Sequence, residues 1–365
     1  MVRVSRYWAH VLCTLCALLL LSSAGLSGGP RYRVEVLGSL GCDYSRANAI
    51  NRAGQVVGYA DTLPGPGTAV EHAFLWDGSV TMDLGTLGGA RSRAYDVSNF
   101  GVAAGWASGS DGKMKPAYWD SSGVQELPTL GGPTGAAWAI NDLGAVVGNA
   151  YTSPSVYHAA LWGPDGVVDL GTLGGDYSIA YDINVSGQAV GGADDSLGRE
   201  RAVRWTDDGS IETINGLPGG TWSTARGIND RGDIILWGDT TGSTGRAALW
   251  SGGQVLDLGT FGGTQSWAYG LNNAGFVVGW GELAAGNYHA FVFDGSELID
   301  LGTVGGMFSS AYGINDFGTV VGSAQGSDGL WYAVQWVPVP EPATFLCVGA
   351  GVFALILRPL RRRKG

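Results

Sequence analysis

The chain has 365 residues, of which 63 are glycine, and its formal net charge is −11; residues 25–340 hold 14 basic and 31 acidic side chains, which leaves about −17. This charge would repel nucleic acid and disfavours anionic lipid, because both require a basic surface. The content of Trp, Tyr, Val, Leu and Ile excludes a disordered glycine-rich chain, so we expect the glycines to separate short, ordered elements.

The first 24 residues have the pattern of a secretory signal peptide. Arg3 and Arg6 form a basic start, residues 11–21 form an apolar helix-forming run, and Ser22-Ser23-Ala24 is a small-residue cleavage site. Signal peptidase is therefore expected to cut after Ala24. The alternative is an N-terminal membrane helix, but the apolar run is short for a span of about 20 residues.

The rest of the chain, from residue 31 to residue 337, consists of repeats. Glycine pairs recur at intervals of 43, 43, 45, 43 and 43 residues, and a degenerate first copy has Gly41-Cys42 in place of the pair. The pairs begin at Gly88, Gly131, Gly174, Gly219, Gly262 and Gly305. This period predicts seven repeats that start near residues 37, 84, 127, 170, 214, 258 and 301.

Each repeat is predicted to contain four short strands, because β-branched and aromatic residues alternate between turn residues. Examples of the four strands are residues 180–184, 146–148, 72–76 and 168–171. An Asn-x-x-Gly turn joins the first strand to the second, and its glycine is expected to take the positive φ that closes a bulged hairpin. The tryptophan that ends most third strands is expected to pack between repeats.

Four strands in about 43 residues is the size of one propeller blade. The last repeat lacks a fourth strand, whereas residues 32–38 form an extra strand before the first repeat. That strand can complete the last blade, which would cover exposed sheet edges. We therefore predict an all-β fold, a seven-bladed β-propeller closed by the N-terminal strand. An open β-solenoid is the alternative.

The repeat resembles the HAF family of extracellular repeats. His72-Ala73-Phe74 and His289-Ala290-Phe291 carry the triplet, and the sequence Asp-Leu-Gly-Thr-Leu-Gly-Gly is the second mark. Other copies depart from the triplet, as in Lys115-Pro116-Ala117, and the fifth breaks the Val-Val-Gly pattern with residues 234–237. The resemblance implies an extracellular repeat protein and no known activity.

The C-terminus, residues 338–365, contains a second targeting signal. Pro340-Glu341-Pro342 precedes an uncharged apolar run, residues 343–357, and then the basic residues Arg361, Arg362 and Arg363. The basic cluster favours the cytoplasmic side, so the repeats should lie on the other side of a transient C-terminal transmembrane helix. This order resembles a PEP-CTERM sorting signal, which implies processing by an exosortase, a membrane protease of Gram-negative bacteria that make exopolysaccharide.

No catalytic residue, metal site or cofactor is predicted. His72, His158 and His289 occupy one repeat position on separate repeats, so they do not converge as catalysis requires. The carboxylates before Leu-Gly, such as Asp83 and Asp169, also share one position, and they are expected to face water. The Asn-Asp pairs supply too few oxygens for calcium, and turn formation already accounts for them.

Binding is expected on the face that holds the linkers between repeats and the loops from strand two to strand three. Its aromatic residues vary between copies, and loops on a rigid scaffold commonly bind ligands. The loop position of Tyr59 is assigned to Asp239 in the fifth repeat. The candidate ligand-binding residues are Tyr44, Trp106, Tyr177, Trp222, Trp280 and Phe308.

Two classes of function follow from this sequence. The first is a non-enzymatic surface or extracellular-matrix protein that binds exopolysaccharide or another surface component. The second is a polysaccharide lyase or hydrolase, because the fold alone does not decide the activity. A purely structural repeat protein is a third interpretation, which applies if the aromatic residues pack only against neighbouring repeats.

Overall fold

The structure is a computed structural model that describes residues 31–41, 44–62, 70–242 and 244–339. The chain divides into two units, of which Tyr32–Pro338 contains the repeats. The predicted signal peptide, the sorting residues from Pro340 onward and the C-terminal apolar run lie outside the described residues. Within the described ranges the chain forms β-strands, and no helix there is long and apolar enough to cross a membrane.

The strands, numbered in chain order, fall into four classes by their position in the repeat. The first strands are β2 Ser45–Ile50, β6 Gly88–Val97, β10 Gly135–Ile140, β14 Gly174–Ile183, β18 Ser223–Ile228, β22 Gly262–Leu271 and β26 Gly305–Ile314. The second strands are β3 Val56–Asp61, β7 Ala103–Gly109, β11 Val146–Tyr151, β15 Ala189–Asp195, β19 Ile234–Asp239, β23 Val277–Leu283 and β27 Val320–Gly326. The third strands are β4 Glu71–Trp76, β8 Met114–Asp120, β12 Tyr157–Gly163, β16 Glu200–Trp205, β20 Gly245–Ser251, β24 Tyr288–Phe293 and β28 Trp331–Val339. The fourth strands are β5 Thr81–Asp83, β9 Gly123–Glu126, β13 Gly166–Asp169, β17 Ile211–Thr213, β21 Gln254–Asp257 and β25 Leu298–Asp300, with β1 Arg31–Val36 before them all.

Within a repeat the four strands pair antiparallel in chain order, as in β2-β3-β4-β5. Five sheets have four strands each, and an eight-stranded sheet combines the third and fourth repeats through one parallel bridge between Tyr157 and Tyr177. The Asn-x-x-Gly turns form as predicted, since Gly54 has a φ of 82° and Gly144 one of 80°. The all-β prediction and the four-stranded antiparallel repeat are confirmed.

The N-terminal strand completes the last sheet, whose order is β1-β28-β27-β26. After β1, the Leu37 amide donates to the Ala333 carbonyl at 2.8 Å, and the Leu37 side chain is buried. Tyr32 and Val34 of β1 pack against the cluster that contains the fully buried Trp336. Residues separated by about 300 positions in the sequence therefore share one sheet.

Serine hydroxyl groups join consecutive repeats near the first strands. The Ala73 amide donates to Ser92 Oγ at 2.9 Å, and that hydroxyl donates to the Gly85 carbonyl at 2.7 Å. The same link joins the last repeat to the first, because the Ala333 amide donates to Ser45 Oγ at 2.9 Å. The first strands contact one another in series from β2 to β26, and β26 contacts β2 again.

The core lies between neighbouring sheets. The alanine of the Ser-x-Ala segment is fully buried in Ala94, Ala180 and Ala268, which lets adjacent first strands approach closely. Most third-strand tryptophans are buried as predicted, with Trp205 at 2 % and Trp336 at 0 % exposure, whereas Trp76 and Trp250 are half-buried. Large rings at this position remove extensive apolar surface from water and stabilise each sheet-to-sheet contact.

Candidate binding site

A cavity of about 350 Å³ lies where the first strands meet. Seven segments line it, one from each first strand and the turn that follows it. Because these hairpins all run in the same sense, the strand sides of the segments lie toward one mouth and the Asn-x-x-Gly turns toward the other. The cavity therefore has two chemically different ends, which we call the ring mouth and the turn mouth.

Alternation along the first strands determines which side chains reach the ring mouth. Ala94 is fully buried against its neighbours, so Arg93 and Tyr95 on either side of it point the opposite way. The equivalent residue after the buried alanine is Trp138 in the third repeat and Arg226 in the fifth. One large side chain per repeat thus converges on the ring mouth, except where Asn48 takes this position in the first.

Arginine side chains contact rings on one side of the ring mouth. The guanidinium carbon of Arg46 lies 3.6 Å from the ring centroid of Tyr312 and 5.9 Å from that of Tyr59. Arg93 lies 4.4 Å from the Tyr59 ring and donates two hydrogen bonds, of 2.9 and 3.0 Å, to the buried Glu71 carboxylate. Stacking of a guanidinium on an aromatic face is attractive, and it holds both groups in place.

The contacts continue around the ring mouth through aromatic pairs. Trp106 Nε1 donates to the Tyr95 hydroxyl at 3.1 Å. Tyr95 stacks on Trp138 with centroids 4.3 Å apart and planes 11° apart, and Trp138 meets Tyr181 edge-on at 5.6 Å. These are the offset and edge-to-face arrangements that aromatic rings favour.

The remaining contacts lead from Tyr181 to Tyr312, whose ring Arg46 contacts, so the series of contacts closes on itself. Arg226 lies 3.8 Å from the Tyr181 ring and 5.7 Å from Trp267. Trp267 stacks near Tyr269 at 5.6 Å, and Tyr269 meets Tyr312 edge-on at 5.0 Å. Burial raises the pKa of Tyr181 and of Tyr269, so their hydroxyl groups stay protonated and can donate.

We call this closed set of contacts the aromatic belt. Its members are half-buried, apart from the buried Tyr59, so ring edges and polar atoms remain accessible at the mouth. The belt consists of Arg46, Tyr59, Arg93, Tyr95, Trp106, Trp138, Tyr181, Arg226, Trp267, Tyr269 and Tyr312. Such a surface can stack on a flat apolar group and also donate hydrogen bonds to its hydroxyl groups.

The six residues predicted from the sequence lie at different distances from the belt. Trp106 belongs to it, Tyr44 lies beside its member Tyr59, and Trp280 shares a side-chain hydrogen bond with its member Tyr269. Tyr44 lies 5.9 Å from Tyr59, and Tyr177 lies 4.8 Å from Tyr157. The remaining pairs are Trp222 with Trp237 at 4.4 Å, Trp280 with Tyr288 at 5.1 Å and Phe308 with Tyr288 at 4.9 Å.

The fifth repeat requires a correction to the sequence alignment. Its second strand is continuous despite the altered pattern, and Trp237 pairs with Thr224 as Tyr59 pairs with Arg46. The assignment of Asp239 to the Tyr59 position is therefore wrong. Trp237 stacks on Trp267 of the belt at 3.5 Å, while Asp239 accepts hydrogen bonds from linker amides. Leu236 replaces the glycine of the Val-Val-Gly pattern and Gly238 follows two residues later, which concealed the match.

The repeated histidines pair with the repeated carboxylates of their own repeats. His72 Nδ1 lies 2.7 Å from Asp83, His158 Nδ1 lies 2.8 Å from Asp169, and the His289 pair is similar. The repeat pattern alone does not predict this contact, because the two positions are 11 residues apart on different strands. Lys115 with Glu126 and Arg246 with Asp257 occupy the same places, so the pair joins the third strand to the fourth whichever cation is present.

Two acidic residues lie in the cavity wall. Asp182 accepts hydrogen bonds from the Ile183 and Ile228 amides, both at 2.8 Å, so it joins two repeats. Asp96 does the same with the Val97 and Ile140 amides. Burial, with Coulombic repulsion between the two carboxylates, raises the pKa of Asp182 to about 7, and burial raises that of Asp96 to about 6.

These raised pKa values predict a protein that loses stability as the pH rises from mildly acidic to neutral. The native state holds the protons more tightly than the unfolded chain, so the contribution is present at low pH and is lost as pH rises through 6 to 7. Because the cavity leaves each residue partly accessible, we expect the free energy of unfolding to fall by about 2 kcal/mol from pH 5 to pH 8. Urea titrations at several pH values measure this, and Asp182→Asn should flatten the profile. A parent profile that rises over this range would contradict the assignment.

A ring of asparagine side chains lies near the turn mouth. Asn141 Oδ1 accepts from amides of its own turn, while its Nδ2 donates to the Asn184 carbonyl of the next repeat at 3.0 Å. The ring also joins the last repeat to the first, because Asn315 Nδ2 donates to the Asn51 carbonyl at 3.2 Å. Ser98 replaces asparagine in the second repeat. The turn asparagine therefore has a second role, contact between repeats, that turn chemistry alone did not predict.

The residue after each asparagine also reaches a neighbouring repeat. Asp142 accepts from the Asn99 backbone and side-chain amides at 2.8 and 2.7 Å, and Asp316 pairs with Arg52 at 2.7 Å. The aspartate of each Asn-Asp pair thus connects two repeats, which explains why an acidic residue follows the asparagine. Among the described residues no group of His, Cys, Asp and Glu is arranged to hold a metal ion.

Comparison with known proteins identifies the C-terminal signal. Residues 338–363 match the PEP-CTERM protein-sorting motif. The protein is therefore exported, and it is processed at the membrane by an exosortase. No curated protein matches the chain.

Solved structures with a propeller-like fold resemble the repeats. A puromycin-hydrolyzing peptidase of Mycobacterium tuberculosis is 14 % identical, with a TM-score of 0.54, over 85 % of this chain and 55 % of its own. A puromycin hydrolase S511A mutant complexed with PGG is 16 % identical, with a TM-score of 0.52, over 80 % of this chain and 51 % of its own. YCF48 bound to D1 peptide is 15 % identical, with a TM-score of 0.50, over 87 % of this chain and 97 % of its own. The chain thus spans about half the length of the two hydrolases. At these identities the likeness shows the fold alone.

Proposed function

We propose that this protein is a non-enzymatic component of the cell surface or extracellular matrix that binds a neutral polysaccharide through the aromatic belt. Its scaffold is a seven-bladed β-propeller of HAF-type repeats, residues 31–337, closed by the N-terminal strand. The sorting signal supports the location, since export past an exosortase brings the protein to the compartment where exopolysaccharide accumulates.

The observation that carries the proposal is the closed ring of aromatic and guanidinium contacts at the ring mouth. Sugar rings have one apolar face and a hydroxylated edge, so they match a surface of flat rings bordered by donors. The belt is held rigid by its own stacking and by the Arg93–Glu71 pair, so little conformational entropy is lost on binding. Trp222, Trp280 and the other ring pairs extend this surface outward along the linkers.

Charge favours a neutral polymer over an acidic one. The repeats carry a net charge of about −17, which repels uronic acids and sulfated sugars at low ionic strength. Arg93 is already paired with Glu71, and Arg204 with Glu212, so these cations add little attraction for anions. Binding to acidic polysaccharide should therefore increase with salt, whereas binding to neutral polysaccharide should change little.

Affinity electrophoresis in gels that contain the cell's own exopolysaccharide tests the proposal. The purified chain should be retarded, and Trp222→Ala with Trp280→Ala should reduce retardation severalfold, because each stacking contact contributes roughly 1 kcal/mol. The melting temperature of the variant should stay close to that of the parent. Retardation equal to the parent would assign the outer ring pairs to packing alone, and release of reducing ends would favour a lyase or hydrolase.

Sorting predicts the C-terminus of the mature protein. We expect the form found outside the cell to end near Pro340-Glu341-Pro342, because the basic cluster halts export while the protease cuts beside the motif. Mass spectrometry of the released protein measures this end directly, and it also reports whether cleavage occurred after Ala24. Released material that still ends at Gly365 would contradict exosortase processing.

A further inference from the structure

The turn mouth bears large apolar side chains in contact with solvent. Phe100 and Leu143 are each 79 % exposed and Phe317 is 72 % exposed, and all three occupy the third position of the turn between the first and second strands, which is Ser-x-x-Gly for Phe100 and Asn-x-x-Gly for the other two. Their repeats are the second, third and seventh, and Ala53 holds this position in the first. Consecutive repeats therefore present an apolar arc, which we call the turn rim. Exposed apolar side chains of this size, grouped on one face, are typical of an interaction surface.

The chain leaves the repeats on the same face. The last described strand, β28, runs to Val339, and Pro338 lies beside the turn that carries Phe317: a Cβ built on Gly318 would be 3.4 Å from Pro338 Cγ. The apolar run of the sorting signal begins at residue 343. Three residues lie between them, so Val339 and residue 343 are separated by four Cα–Cα steps, at most about 14 Å when extended.

We propose that the turn rim rests on the phospholipid bilayer while the sorting segment is still attached. A tether of about 14 Å reaches only a few ångströms past the headgroup region, which is about 5–8 Å thick on each side of the bilayer, so it holds the face from which it emerges against the membrane surface. Phenylalanine and leucine then insert among the headgroups at the apolar boundary.

The charges of this face agree with neutral, zwitterionic lipid. Asp316 forms an ion pair with Arg52, and the Asp142 carboxylate accepts hydrogen bonds from the Asn99 amides, so both carboxylates have partners within the protein. Arg231 in the fifth repeat lies outside the apolar arc. With most polar groups of the rim already partnered, contact with headgroups leaves few of them unsatisfied.

The contact between the turn rim and the bilayer depends on the tether, so cleavage of the tether should weaken it. A few side chains at the interface give only weak, reversible binding, but attachment to a membrane segment makes the second contact intramolecular and raises its effective concentration. Cleavage of the tether removes that advantage, so the protein leaves the surface. While tethered, the ring mouth at the opposite end of the cavity faces away from the membrane and stays accessible.

Carbene photolabelling from a lipid tests this arrangement. The full chain is reconstituted into phosphatidylcholine vesicles that contain a phosphatidylcholine with a headgroup diazirine, and adducts are mapped by mass spectrometry. We expect labelling around Phe100, Leu143 and Phe317 to exceed labelling around Leu197 and Met307 at least threefold. The last two are 73 % and 56 % exposed on the opposite face, so exposure alone does not explain a difference.

Matched variants separate lipid contact from other causes. Phe100→Ser with Phe317→Ser should reduce the labelling of the Leu143 turn at least threefold, whereas Leu197→Ser with Met307→Ser should leave it unchanged; both should melt like the parent. Equal labelling of the two faces, or adducts confined to residues 340–365, would overturn the proposal. A rim without lipid adducts that a bifunctional reagent crosslinks between two chains would overturn it as well, in favour of a second copy of the chain.

Discussion

Deleting residues 31–37 should lower the melting temperature by about 10 °C or more and cause aggregation. The deletion removes β1 from β28 and exposes the apolar surface that Tyr32, Val34 and Leu37 cover. Burial of three such side chains contributes about 5 kcal/mol, and in a chain of this size each kcal/mol corresponds to about 2–4 °C. The unpaired edge of β28 would then be free to pair with other chains.

Point variants on β1 distinguish the loss of side-chain packing from the effect of shortening the chain. Tyr32→Ser with Val34→Ser should reproduce part of the loss, while Arg33→Ser, whose side chain is 67 % exposed, should change the melting temperature little. Differential scanning calorimetry and light scattering measure both effects. A deletion variant that melts like the parent and stays monomeric would show that β1 does not stabilise the ring.

Replacing Gly191 with alanine should destabilise the protein by about 3 kcal/mol or more. A Cβ at this position would lie 1.8 Å from the Ile179 carbonyl oxygen and 3.0 Å from the Ala180 Cα, and both atoms are backbone of the adjacent first strand. No rotamer change relieves such a clash, so β14 and β15 must separate. Gly58, Gly105, Gly148, Gly279 and Gly322 are equally constrained, with distances of 1.8–2.1 Å.

Gly163→Ala is the matched control, because a Cβ there meets no atom within 4 Å and its φ is not positive. We expect its free energy of unfolding to stay within about 0.5 kcal/mol of the parent. Urea denaturation of the two variants side by side provides the comparison. Equal stability of Gly191→Ala and Gly163→Ala would contradict the close approach of the first and second strands.

The period of the sequence was sufficient to predict the elements of each repeat. Alternating apolar residues and the Asn-x-x-Gly spacing place the strands and turns, because both depend on residues that are close in the chain. The orphan strand before the first repeat predicted a partner at the far end of the chain, and β1 does lie beside β28. Local sequence patterns therefore predict the strands and turns, and the need to cover a sheet edge predicts the pairing of β1 with β28.

Contacts between repeats were harder to predict. A repeat pattern shows which positions are equivalent, but not which side chains of different repeats converge. Trp138, Arg226 and Tyr312 converge although they lie in different repeats, and one large side chain per innermost strand is the sequence signal for such a ring. The contacts of the Ser92 hydroxyl and the Asn141 amide with other repeats are likewise invisible in the repeat pattern. The hydrogen bond of Ser92 joins residues 19 positions apart, and that of Asn141 joins residues 43 positions apart, and each connects two repeats.

Isothermal titration with a neutral oligosaccharide from the cell's own polymer tests the aromatic belt most directly. Trp138→Ala with Tyr181→Ala removes two adjacent rings of the belt, and Tyr118→Ala removes a half-buried ring outside it. At roughly 1 kcal/mol for each stacking contact, we predict that the belt variant binds about tenfold more weakly than the parent, and that the control binds equally well. A folded belt variant with the affinity of the parent would contradict the proposal that the belt is the binding site.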